Sequence, residues 1–245
     1  MKFSYKITFM AGILMASLLP VSQAAEAPFK FSANVALTSD YVFRGITQTD
    51  EGIAIQGGFD ANHASGFYFG TWGSNVKFLE NNTIAPEDRA DVEIDLYVGF
   101  SGGLDNGLSY DVKAGQYMYP GADSNLNYDL TEFNFTLSYS MPQGTAFNFQ
   151  YDFSPDFGGA DNAHHFIIGV NHTLPSGLGF GGFVGQQNIK DNEAAGKDDY
   201  LYYGASVSFP LAGFDTSLTY TNTDLDNAEE LGSDGRVFFT LSKSF

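Results

Sequence analysis

With 245 residues, 29 acidic against 11 basic side chains and a formal charge of −18, the chain's acidity speaks against nucleic acid and anionic-membrane surfaces as direct partners. It has no cysteine, which excludes both a disulfide framework and a lipoprotein anchor. Acidity can also signal disorder, but 24 Phe and 14 Tyr beside 28 Gly describe an ordered chain of closely packed strands with aromatic girdles.

The N-terminus predicts export. Lys2 and Lys6 precede an uncharged run from Ile7 to Leu19, followed by Pro20 and the small-residue pattern Ser22-Gln23-Ala24. This is the three-part layout of a secretory signal peptide, with cleavage expected after Ala24. Residues 1–24 are therefore set apart, and 25–245 are expected to form one domain with nine basic against 29 acidic residues. Beyond the signal the longest apolar run is Phe166 to Val170, which excludes a helical membrane protein but not a barrel, whose strands alternate.

The mature chain opens with Phe31 to Arg44. Phe31, Ala33, Val35, Leu37, Tyr41 and Phe43 share one face, and Ser32, Asn34, Thr38, Asp40 and Arg44 the other, predicting one long strand. Ile53 to Asp60 and Phe67 to Ser74 follow as a pair joined at His63-Ala64-Ser65-Gly66, before a long polar excursion to Arg89. Val92, Ile94, Leu96, Val98 and Phe100 then oppose Asp91, Glu93, Asp95 and Tyr97 in the clearest alternation of the chain. Asn106-Gly107 is a hairpin signal, leading to Leu108, Tyr110, Val112 and Ala114 opposite Asp111 and Lys113. Strands built on Phe133 to Tyr139, Phe147 to Phe153, Phe166 to Val170, Leu178 to Gln187, Leu201 to Phe209 and Leu218 to Tyr220 repeat the pattern, and Arg236 to Phe245 ends it.

These segments predict twelve antiparallel strands with alternating short and long connections and both termini on the side of the short turns. An even count with that asymmetry is the pattern of an outer-membrane β-barrel with short periplasmic turns. A β-sandwich needs neither an apolar outer face on nearly every strand nor an alternation of turn length.

Two stretches carry a resemblance. The C-terminal strand, with Phe239, Leu241 and Phe245 on one face, resembles the ending of bacterial outer-membrane barrels, where a terminal aromatic behind alternating apolar residues is read by the insertion machinery. Lys243 departs from that face and can snorkel into headgroups. SANVALTSDYVFRGITQT, from Ser32 to Thr49, is similar to the N-terminal signature of the TorF-type porins, catalogued as conserved hypothetical outer-membrane proteins. The similarity extends over the mature chain and includes WGSNV at Trp72 to Val76 and the LSKSF ending. It implies a barrel and a pore, and no substrate.

With the apolar face toward lipid, Asp40, Asp91, Glu93, Asp95, Asp111, Glu132 and Asp152 are expected inside the lumen or near its mouth, against only Arg44, Lys113 and Arg236. A wall of one sign attracts counter-ions, so the expected function is a passive channel for cations or neutral hydrophilic solutes through a narrow bore. The plainer alternative is that these carboxylates keep the lumen wet and pair with the three basic residues. Trp72, Tyr97, Tyr117, Tyr119, Tyr200 and Tyr202 also read toward the lumen or its rim. They would stack a planar, nucleoside-like or vitamin-like solute or hold an organic cation, unless they belong to the interfacial girdle.

Enzymatic readings are weak. His63-x-Ser65 resembles a segment of outer-membrane phospholipases, but it falls in a short turn on the expected periplasmic side. His164 and His165 are adjacent and face opposite ways, so no transition-metal site is expected. The acidic loops Asp191 to Asp199 and Asp224 to Glu230 lack EF-hand spacing and suit divalent bridges to lipopolysaccharide. A non-conducting adhesive or structural barrel would need longer external loops. No cofactor is implied, and the expected partners are outer-membrane lipid and lipopolysaccharide, the insertion machinery and small solutes.

Overall fold

A computed structural model describes residues 28–78 and 84–245; the expected export signal lies outside them. The wall is built from β1 (Phe29–Thr38), β4 (Ala54–His63), β5 (Phe67–Asn75), β6 (Val92–Gly103), β7 (Leu108–Met118), β8 (Leu130–Ser140), β9 (Thr145–Ser154), β10 (Ala163–Thr173), β11 (Gly179–Ile189), β12 (Tyr200–Leu211), β13 (Phe214–Thr223) and β14 (Arg236–Ser244). These twelve antiparallel strands close into a barrel in which each pairs with its neighbours in sequence and β1 pairs with β14. The seam runs from Asn34 opposite Ser244 to Thr38 opposite Thr240, and Phe245 and Ala33 exchange backbone hydrogen bonds of 2.8 and 3.2 Å beyond it. Among the described residues there is almost no helix: one turn of α1 (Asn192–Ala195) and three short 3-10 turns.

Closure follows from the strand chemistry. On β6 the outward residues Val92, Ile94, Leu96, Val98 and Phe100 are exposed while Glu93 and Tyr97 between them are buried. The same inversion recurs around the wall, with Phe31 79% and Ile55 70% exposed on the outside and Thr, Ser, Asn, Gln and carboxylates inside. An apolar exterior around a polar interior suits lipid outside and water or polar groups within. Long connections at 39–53, 119–129, 155–162, 190–199 and 224–235 and the described residues of 76–91 lie at one end, and short ones at 64–66, 104–107, 141–144, 174–178 and 212–213 at the other, where Phe29 and Phe245 also lie. At the expected Asn-Gly turn Asn106 and Gly107 both adopt positive φ, 69° and 86°.

The first strand is shorter than its alternation predicts. Ser39-Asp40 puts polar residues on both faces, and the Thr38 hydroxyl donates to the Asp40 carbonyl at 2.7 Å, so the chain leaves the wall at residue 39. Residues 39–53 then fold back as a hairpin, β2 (Val42–Phe43) against β3 (Ile46–Thr47), turning at Arg44 and Gly45 with φ of 50° and 83°. Tyr41 and Phe43, expected on the lipid face, belong instead to this hairpin, and Tyr41 is buried inside the barrel.

A charge on the lipid face tests the orientation. Leu96→Arg, in the middle of β6, is expected to cost about 2–4 kcal/mol of folding free energy in lipid vesicles, and Leu104→Arg, at the short-turn rim, about 0–1 kcal/mol. Equal costs in urea titrations of the two variants would contradict a lipid-facing β6.

Candidate functional site

The hairpin is pinned at its root and at its tip. At the root, Asp40 accepts from the hydroxyls of Thr47 (2.5 Å) and Thr49 (3.0 Å) and pairs with Arg236 on β14 (3.2 Å). Arg236 also holds Asp234 at 2.6 Å. The Tyr41 hydroxyl donates to Glu93 on β6 at 3.1 Å, and its ring meets Trp72 edge-on at 5.5 Å. Val76, Phe78, Tyr119 and Tyr128 complete an aromatic cluster that fastens this side of the hairpin to the mouth.

The tip reaches the far wall. In the ring of twelve strands β9 stands six places from β1 in either direction, so the two are diametrically opposite. Arg44 nevertheless bonds to Glu132 on β8 (2.7 and 3.0 Å), Asp152 on β9 (3.1 Å) and Gln187 on β11 (2.9 Å). Its guanidinium carbon lies 4.5 Å from the centroid of the Phe43 ring. Gly45 packs against β12 and β13, where a Cβ would stand 2.9 Å from Tyr202 and 2.7 Å from Thr223; only glycine fits that approach with that φ.

The wall residues that receive Arg44 are held by one another. Asp152 accepts from Asn134 (2.7 Å) and from Gln150 (2.8 Å to each oxygen), and shares a 2.7 Å hydrogen bond with His165 Nδ1. The other nitrogen of His165 lies 2.7 Å from the Tyr202 hydroxyl, and Tyr117 donates to Glu132 at 3.3 Å. Glu93, Glu132, Asp152, Gln187 and Tyr202 are each 2% exposed or less, so solvent does not reach the wall at this level. Beside Arg44 a cavity of about 30 Å³ remains, bordered by Lys113, Tyr117, Asn134 and Gln150, room for one or two waters and no solute. The hairpin thus obstructs the bore.

Toward the short-turn end the lumen is less filled. Asp60 accepts from Tyr97 (2.6 Å) and Asp111 from Tyr68 (2.8 Å), all but the tyrosines half-buried, with the Lys113 ammonium 5.7 Å from the Tyr97 ring. These tyrosines lie across inward glycines of the neighbouring strand: Tyr68 over Gly99, Tyr97 over Gly70 and Tyr202 over Gly185, and a methyl at any of the three would run into the ring. Asp95 faces inward with one buried oxygen that accepts no hydrogen bond from the protein.

Of the residues singled out from the sequence, Asp40, Arg44 and Arg236 belong to the hairpin and its anchor, and Glu132 and Asp152 to its receptor. Glu93 is bonded by Tyr41 and by Tyr119 (3.2 Å), which stands just past the end of β7. Asp111 and Lys113 line the short-turn half. Asp91 is exposed at the mouth ahead of β6, where its backbone carbonyl accepts from Val76 (2.9 Å). Trp72, Tyr97, Tyr117, Tyr200 and Tyr202 face inward. Gln187, Asn134 and Gln150 are not among the residues singled out, and His165 is considered there only as a metal ligand. Their parity signals them, since each stands opposite an outward apolar or aromatic run on its own strand or shares the inward register of Asp152.

Elsewhere, His63 Nδ1 lies 2.8 Å from the Ser65 hydroxyl and also accepts the Ser65 backbone N–H, a local turn contact at the short-turn rim. His164 points outward against Tyr151. In the long loops, Asp191 caps α1 through Ala194 (2.9 Å), while Asp199 and Asp224 accept from the backbone of Ile189 and Leu201 (both 2.7 Å). Hydrogen bonds from Lys190 and the Asn162 backbone hold the Asp161 carboxyl below its ordinary range. Among the described residues no three His, Asp or Glu side chains converge as a metal site. Phe239 and Phe245 face outward and are exposed.

In fold the chain is similar to the KdgM porin (TM-score 0.57, 6% identity, 87% of this chain and 98% of that one). It is similar also to the KdgM porin in complex with disordered oligogalacturonate (TM-score 0.55, 4% identity, 88% and 97%) and to the NanC porin (TM-score 0.54, 10% identity, 87% and 98%). No curated protein matches it in sequence. Residues 22–245 match a family described as a bacterial protein of unknown function, Gcw_chp, and the chain, a closed porin-like barrel, belongs to that family.

Proposed function

We propose that this protein is an outer-membrane channel for small hydrophilic solutes of positive or no charge, closed in the present structure by the hairpin 39–53. The observation that carries this reading is the inverted barrel itself, apolar outside and acidic within, crossed by a segment that one guanidinium ties to the opposite wall. The fold shared with two porins supports the location and the class of function. The resemblance to the TorF-type porins agrees with both, and Phe239, Leu241 and Phe245 are read as the signal to the insertion machinery.

The charge of the bore decides among solutes. Asp60, Glu93, Asp95, Asp111, Glu132 and Asp152 face Arg44 and Lys113, with Arg236 occupied at the hairpin root. The KdgM structure with oligogalacturonate concerns a polyanion. An acidic lumen would repel one, so that substrate class does not transfer. The tyrosines lie flat on glycines with several hydroxyls committed to carboxylates, which favours a wall-building role over stacking of a planar solute. The His63-Ser65 contact is a turn closure and lends no support to hydrolysis.

Single-channel recording of the purified barrel under a roughly tenfold KCl gradient tests the proposal. The expected result is rare openings with a cation-favouring reversal potential, weakened by Glu93→Gln with Asp95→Asn; an anion-favouring potential would overturn the selectivity. Removing one partner of a buried ion pair costs on the order of 3–5 kcal/mol, and each ~1.4 kcal/mol is a factor of ten. Arg44→Ala is therefore expected to raise the open probability by at least about tenfold. Unchanged closure in that variant would show that the hairpin is not held by Arg44.

A further inference from the structure

The tip of the hairpin has the form of a bound ligand. Arg44 Nη2 meets both oxygens of Glu132 and one of Asp152, while Nη1 meets Gln187, so the two nitrogens of one planar group serve acceptors on three strands. A lysine-like ammonium is a single point and reaches only one of those sets. We propose that the wall pocket of Glu132, Asp152 and Gln187 is a binding site for guanidinium-bearing solutes, and that Arg44 is their intramolecular stand-in. This rests on the channel reading above.

Three observations carry it. First, the two carboxylates of the pocket are held without the hairpin: Asn134, Gln150 and His165 orient Asp152, Tyr202 orients His165, and Tyr117 bonds Glu132, all of them on the barrel wall. Both carboxylates keep these partners when Arg44 departs. Second, two carboxylates receive one cation at a level that solvent does not reach. A withdrawal that leaves them empty sets two neighbouring carboxylates against each other without their shared cation, whereas exchange for an incoming cation does not. Release of the hairpin is thereby coupled to arrival of a solute of the same chemistry. Third, Asn134 Oδ1 and Gln187 Nε2, on buried residues at the pocket, have no hydrogen-bond partner in the protein and are left for water or for atoms of a solute.

The probe is the guanidinium ion, at millimolar concentration and far below denaturing levels. In equilibrium dialysis, folded Arg44→Ala barrel is expected to bind about one equivalent of labelled guanidinium, with tetramethylammonium competing at least about tenfold less well. Adding Glu132→Gln or Asp152→Asn is expected to weaken that binding by at least about tenfold. Absence of saturable binding to the folded variant, or binding indifferent to both carboxylates, overturns the proposal. In bilayers, guanidinium is expected to raise the open probability of the unaltered protein above that in equal potassium, and to block the Arg44→Ala channel. Cation-favouring conductance without guanidinium binding removes the pocket and leaves the channel; binding without any conductance keeps the pocket and removes the channel.

Discussion

A backbone in lipid has no water to bond, so every strand must have a partner on both sides. That constraint determines most of what is seen here. It makes β1 pair with β14 as well as β4, which leaves the sheet without an edge. It also converts a simple alternation along each strand into two surfaces of opposite character. One face must be apolar because it meets hydrocarbon, and the other is free to carry groups that a soluble core would reject.

The interior uses that freedom. An acidic arc runs from β4 to β9, and a wall of threonines and serines stands on β13 and β14. Into this space the chain sends one hairpin, rooted by Asp40 and Arg236 and tipped by Arg44. Buried charge is costly unless paired, and Glu132 and Asp152 find their arginine across the bore rather than within the wall. The arginine that neutralises these two carboxylates is therefore also the residue that closes the bore. Cross-strand glycine–tyrosine contacts serve the same economy of space, because a ring laid over a glycine keeps its hydroxyl near a carboxylate without filling the centre.

The strand count, the alternation of short and long connections and the inward placement of Glu93, Asp95, Glu132 and Asp152 were legible in the sequence, because period-2 patterning records which side of a strand faces lipid. The hairpin was not. Tyr41 and Phe43 continue the parity of Phe31 to Leu37, and parity alone cannot distinguish a strand that carries on from one that leaves the wall and reverses. The break was visible only as Ser39 on a face otherwise apolar, and as Arg44-Gly45 where a two-residue turn can form. The partners of Arg44 were equally hidden. Glu132, Asp152 and Gln187 lie 88, 108 and 143 residues away in the chain, and which of several inward carboxylates meets a given cation depends on the curvature of the closed barrel.

The seam between β1 and β14 has a consequence for how the chain folds. Thr38 and Thr240, Ser39 and Phe239, and Asp40 and Arg236 touch across about 200 residues, so the seam they belong to carries the greatest loop-closure entropy of the fold and is expected to form late. The hairpin begins immediately beyond that seam, and its receptor strands β8, β9 and β11 assemble from short-range pairings. The nascent sheet therefore curls with Glu132 and Asp152 already in register, and the last strand pairing to form is the one that shuts the arginine inside.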